Sequence, residues 1–199
     1  MVINNNVKFM HIPHTGGRYL SYVFKYNGHF CYGDNFQIKH NNIDLPHLTA
    51  LESRSFYKGS IFKKFTIVRN PLSRFIACLM NDSANNNEGI EHMFKNERNF
   101  ISTVDSFRHQ KANNNWFEPQ INFIDKDTKI WRFENGFGIE FFKFIGDNFN
   151  IELDPNKEYN SYKFTNKNVY RNTVKLNEEQ KQWVKNYYFL DYKILNYES

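Results

Sequence analysis

Lys8 to Leu20 reads KFMHIPHTGGRYL, and the succession of elements it encodes decides the fold. Val7 to Ile12 is a short, mostly apolar run that fits a buried strand, and it stops at Pro13, which cannot donate to a sheet ladder. Thr15, Gly16 and Gly17 then supply a hydroxyl and two backbone positions without side-chain bulk. From Gly17 onward the spacing of Leu20, Val23 and Phe24 predicts one face of a helix. Strand, glycine loop and helix together point backbone N–H groups and the positive end of a helix at one place, a ready site for phosphate or sulfate. His14 and Arg18 add side-chain donors there. A strand followed by Gly-Gly also suits a plain tight turn. The stretch is neither a Walker A loop nor a GxGxxG loop.

A second stretch, Phe65 to Phe75, reads FTIVRNPLSRF and repeats the logic. Lys63 to Val68 is a buried-strand candidate, and Pro71 suits the first position of the helix that presents Leu72, Phe75, Ile76 and Leu79. Arg69, Ser73 and Arg74 put cations and a hydroxyl beside that helix start. The competing reading is that Arg69 and Arg74 pair with surface acids. Strands alternating with helices imply an α/β fold, three-layered, with a mainly parallel sheet flanked by helices. Ligands of such sheets bind at the carboxyl ends of the strands, where both motifs fall, so one ligand with two anionic ends fits the pair.

The remaining chain reads as follows. Asn27 to Asn42 lacks a period and is expected as loop. Asp44 to Ser55 starts a short helix near Pro46, with His47, Leu48 and Leu51 on its face. Asn81 to Gly89 is expected as loop, Glu91 to Phe107 as helix, Lys129 to Phe133 as a third strand and Gly138 to Phe149 as an amphipathic helix showing Ile139, Phe142, Phe144, Ile145 and Phe149. Leu153 to Lys175 reads as loop. Asn177 and Gln180 form a capping pair for a last helix whose apolar face is Trp183, Val184, Tyr187, Tyr188 and Leu190.

The 199 residues suit a single domain, and 40% hydrophobic with 18% aromatic residues argue for a folded chain. No apolar run is long enough to span a membrane, and MVINNNVKF has neither the basic nor the apolar region of a signal peptide, so a soluble, cytoplasmic protein is expected. Cys31 and Cys78 are far apart and form no metal-type cluster, and Cys78 is expected in the core. The net charge of +5 is uneven, with +7 in residues 1 to 80 and −2 in the remainder. The excess therefore sits with both anion motifs, and no dense basic cluster with interleaved aromatics suggests nucleic acid.

HIPHTGGRYL followed by FTIVRNPLSRF resembles the carbohydrate sulfotransferase family that includes heparan/uronyl 2-O-sulfotransferases. Those enzymes have a P-loop-like fold and use 3′-phosphoadenosine 5′-phosphosulfate, PAPS, leaving PAP as product. PHLTA at Pro46 to Ala50 resembles the segment with the family's catalytic histidine, WFEPQINFI and Arg132 to Asn135 its middle region, and YNSYKF with the final helix its carboxyl-terminal part. The resemblance implies that Pro13, His14, Thr15, Gly16 and Gly17 hold the sulfated end of the donor, with Arg18 and Tyr19 also among the donor-binding residues. It places Arg69 and Ser73 on the 3′-phosphate and His47 as the base for an acceptor hydroxyl, with the Thr15 hydroxyl as an extra donor to the sulfonate. The acceptor implied is a saccharide, and no metal, nucleic acid or membrane insertion is expected. The family's loop lysine is His14 here, and Arg18 stands where Thr or Ser is usual, so Arg18, protonated His14, or both are expected to supply the missing cation.

Two readings of other kinds compete. A small nucleotide-dependent kinase lacks support, since no Walker lysine follows the glycines and no acidic magnesium motif is evident. A catalytically degenerate module that binds PAP, another nucleotide or a polyanion draws on the basic first 80 residues and the His14 departure.

Overall fold

The computed structural model describes residues 1–34, 38–83, 100, 102, 115–154, 157 and 176–198. Among them a five-stranded sheet runs in the order β3-β1-β2-β6-β7, built from Cys31–Tyr32, Val2–Ile3, Val7–Met10, Lys63–Val68 and Thr128–Arg132. The last three strands pair in parallel, with Met10 opposite Thr66 and Val68 opposite Arg132. β1 runs antiparallel to both β2 and β3. A separate two-stranded ribbon joins β4, Lys39–His40, to β5, Ile43–Asp44.

The helices follow from local signals. α1, Gly17–Tyr26, buries Leu20, Val23 and Phe24 as their spacing requires. α2, Ala50–Phe56, starts at a capping box in which Thr49 and Glu52 satisfy each other's backbone N–H groups. α3 is Pro71–Ser83 and α4 is Ile139–Phe149. α5, Glu178–Tyr187, opens on the Asn177–Gln180 capping pair, and α6, Phe189–Ile194, follows it.

The main apolar cluster packs α1 and α4 against one face of the sheet, where Val7, Phe9, Phe65 and Ile67 point. Alternation along a strand sends Lys8 and Thr66 to the opposite face, and there Lys8 meets Ser53 of α2. A second cluster joins Phe75, Cys78 and Leu79 of α3 to Val184 and Tyr188, apart from the sheet. The architecture is α/β, with a mixed, mostly parallel central sheet flanked by helices.

Several expectations are corrected. The expected loop Asn27 to Asn42 contains β3 and β4, and Val2–Ile3 is a strand; two-residue strands carry no readable period, and β3 forms only by pairing with the distant β1. α3 continues through Ser83 into the expected loop. The helix expected near Pro46 is a single 3-10 turn, Leu45–His47, and the capping box resets α2 at Ala50, leaving Leu51 71% exposed. Ile139 lies in the first turn of α4 and is exposed, and Leu190 lies beyond the break at Tyr188 and is exposed too. Residues 84–89, most of the helix expected at 91–107, and most of 155–175 lie outside the described residues.

Candidate functional site

β2 and β6 are neighbours in parallel register, so the loops that leave their carboxyl ends lie side by side. The first loop runs from His11 to Gly16. His14 and Gly16 both adopt positive φ, 65° and 96°, a conformation that glycine accepts freely and histidine only at a cost. The α1 ladder starts with the bond from Leu20 N–H to Gly16 O. The N–H groups of Gly17, Arg18 and Tyr19 therefore lie ahead of it, at the positive end of the helix.

Two arginines of the second motif fix the carbonyl side of this loop. Arg74 is fully buried and donates Nε–H to Pro13 O at 3.0 Å, Nη1–H to Glu118 O at 2.9 Å and Nη2–H to Trp116 O at 2.6 Å. Its partners are main-chain carbonyls, not the surface acid that the competing sequence reading supposed. Arg69 donates Nη1–H to His14 O at 3.2 Å and Nε–H to Ser73 Oγ at 2.9 Å, and its guanidinium lies 4.5 Å from the centre of the Phe133 ring. Asn70 caps α3 by accepting from Ser73 N–H.

A further layer holds Arg69. Buried Gln120 accepts from Arg69 N–H at 2.9 Å and donates to Arg69 O at 2.8 Å. Gln120 N–H and Ile121 N–H donate in turn to the buried carboxylate of Asp191 on α6. The structure thus runs a chain of bonds from α6 through Gln120 and Arg69 to the glycine loop.

The expected residues Pro13 to Arg18, Arg69 and Ser73 come together, and His47 joins them through the buried ring of His11. His11 and His47 meet edge to face with centroids 4.8 Å apart, and His14 meets Trp116 in the same way at 5.0 Å. Two roles change. Thr15 Oγ donates its proton to Ile12 O at 2.8 Å, so the hydroxyl expected as a sulfonate donor is committed inside the loop. The Tyr19 ring packs on Phe137, centroids 5.2 Å apart, at the margin of the core, which leaves its backbone N–H as the group near the loop.

Electrostatics separate the histidines from the arginines. Burial, reinforced by Arg74, His47, Arg69 and Arg18, holds His14 well below the ordinary histidine range. Burial therefore disfavours the protonated His14 expected as a lysine substitute, and Arg18, the other expected substitute, is exposed at the start of α1. Burial, then Arg18, the Met1 amino group and Arg74, push His47 down to about 3, so it is neutral at physiological pH.

Sequence reasoning missed His11, the strut role of Arg74, Gln120 and Asp191. Arg74 stands beside Ser73 in the motif, but its direction depends on which carbonyls the fold brings near. Trp131 donates Nε1–H to Gly136 O and packs on Phe141 and Phe144. Among the described residues no group of three or more His, Cys, Asp or Glu is placed to hold a metal ion, and no helix is long and apolar enough to cross a membrane. Compared with protein-family models, curated proteins and solved structures, the chain matches none.

Proposed function

We propose that this chain transfers a sulfuryl group from PAPS to a hydroxyl acceptor, with a saccharide as the acceptor class. The observation that carries the reading is the bond from Arg69 to His14 O, because it joins the loop suited to one anionic group to the arginine and serine suited to a second. A ligand with phosphate at both ends of a nucleoside matches that separation of roles, and the P-loop-like sulfotransferase fold is the arrangement this reading assumes.

In the reaction the acceptor oxygen forms a bond to sulfur as the bond from sulfur to the phosphate oxygen of the donor breaks. PAP leaves with that electron pair, and the acceptor proton passes to the His47 imidazole. Such transfers run in line through a loose transition state, so positioning and charge stabilisation supply most of the rate. The N–H groups of Gly17, Arg18 and Tyr19, with the Arg18 side chain, stabilise the sulfonate and the leaving phosphate. Arg69 and Ser73 take the 3′-phosphate. The negative charge of the donor offsets Arg18 and Arg74, raising the His47 pKa toward the range in which it accepts a proton.

One observation favours a second reading: a neutral His14 leaves the loop without its lysine, as in a module that binds PAP and transfers nothing. Calorimetric titration of PAP in chelator tests for the donor site, with micromolar binding expected. PAPS is then offered with a panel of saccharides. Release of PAP that depends on acceptor supports transfer; binding without turnover supports the module; no PAP binding overturns both.

A further inference from the structure

We propose that His11 is a positioning residue of this site: its imidazole, wedged between Gly17 and His47, sets where His47 stands relative to the anion loop. The inference rests on the sulfotransfer reading, since it concerns the distance between that reading's base and its donor loop.

His11 is the first residue after β2 and is 7% exposed. Its ring stacks on Phe9 with centroids 5.4 Å apart and planes 18° apart, and His47 closes against it edge-on. On the third side is Gly17. A Cβ added at Gly17 would lie 2.0 Å from His11 Nε2, 2.2 Å from Cδ2 and 2.4 Å from Cε1, so the imidazole fills the volume that any other residue's side chain would take. Close packing transmits such displacements, because a core has no slack in which to absorb them. The first turn of α1, which carries the anion-facing N–H groups, thus bears directly on the ring that bears on His47. Burial first, and His47 second, hold His11 neutral, which spares the pair a charge repulsion.

The backbone of His47 is held separately, by Asn115 donating to His47 O at 3.0 Å. The imidazole, in contrast, meets the loop through His11. A phenyl ring at position 11 can occupy the wedge, whereas alanine leaves a void into which His47 can turn.

The test uses the full chain with isotope-labelled histidine, the His47 signals being assigned with His47→Gln. PAP added to the wild type is expected to move both the loop amides and the His47 ring signals. In His11→Ala, PAP still moves the loop amides while the His47 response is lost; in His11→Phe the response returns. With an acceptor in hand, His11→Ala lowers kcat on the order of tenfold to hundredfold with KM for PAPS nearly unchanged. Gly17→Ala, measured without ligand, is expected to shift His47 by pushing the wedge, so it reads the contact even if PAP fails to bind. An unchanged His47 signal in Gly17→Ala, or a full PAP response in His11→Ala, overturns the proposal. Absence of any PAP effect on the wild type overturns the sulfotransfer reading instead. Should His11→Ala not fold, Gly17→Ala and His11→Phe decide.

Discussion

Arg74 and Arg69 stand in the same turn-and-helix motif, yet their guanidiniums answer to different parts of the molecule. Arg74 is wholly buried and holds Pro13, Trp116 and Glu118 by their carbonyl oxygens. Arg69 is partly exposed and holds His14 O and Ser73 Oγ while lying on the Phe133 ring. Both tie the second motif to the first, but only Arg69 sits where a ligand can also be reached. A buried guanidinium shapes the loop, and a half-open one can take part in binding.

Removing Arg74 is expected to have the largest effect on stability. Arg74→Ala strands three carbonyls, one buried and two part-buried, and opens a cavity, at a cost of about 3 kcal/mol or more in urea unfolding. Arg74→Lys recovers little, because one ammonium cannot reproduce a planar fork aimed at three acceptors. If Arg74→Ala unfolds at the wild-type midpoint, the strut role is wrong.

Gly17→Ala comes next, at about 1–3 kcal/mol, since the added methyl must displace the His11 ring. Combining it with His11→Ala is expected to return part of that loss, and additive effects would show that the two residues do not share the space.

The pH dependence sharpens the contrast between arginines and histidines. His47 titrates near the ordinary value when unfolded and at about 3 when folded, so the unfolded state binds more protons between those values. Its contribution to stability is therefore full above pH 6.5 and declines as pH falls, with a slope approaching about 1.4 kcal/mol per pH unit inside the window. His47→Gln is expected to flatten the curve by that amount. A curve superimposable on the wild type would mean that burial, with Arg18, the Met1 amino group and Arg74, does not hold His47 neutral.

Thr49→Ala marks the small end, at about 1 kcal/mol, by removing the capping box that starts α2 just after His47. Its effect on PAP binding should be negligible, because the loop and Arg69 lie elsewhere.

What the sequence discloses follows the range of the interactions. β2, the loop, α1, β6 and the start of α3 at Pro71 are legible because proline, glycine and apolar spacing act locally, as does the Asn177–Gln180 capping pair. The two-residue strands at one end of the sheet are not legible, since Cys31–Tyr32 exists through pairing with the distant Val2–Ile3, and Val2–Ile3, paired with Val7–Lys8 on its other side, is too short to show a period. In the site, Pro13 to Arg18, Arg69 and Ser73 announce themselves by type and spacing. His11, Gln120 and Asp191 do not, because their roles arise when separate turns meet. The neutral state of His14 also needs three dimensions, as it depends first on the burial of the ring and then on how closely Arg74, His47, Arg69 and Arg18 surround it.

The central claim is that the two motifs form one site, with the loop on one anionic end of the donor and Arg69 on the other. It is tested most directly by titrating PAP and 5′-AMP, which lacks the 3′-phosphate, into the wild type and Arg69→Ala by calorimetry in chelator. The wild type is expected to prefer PAP by on the order of tenfold to hundredfold, the worth of a charge-assisted phosphate contact, and Arg69→Ala to lose that preference while unfolding near the wild-type midpoint. Equal affinity of the wild type for the two ligands, or a preference for PAP that survives Arg69→Ala, would contradict the account.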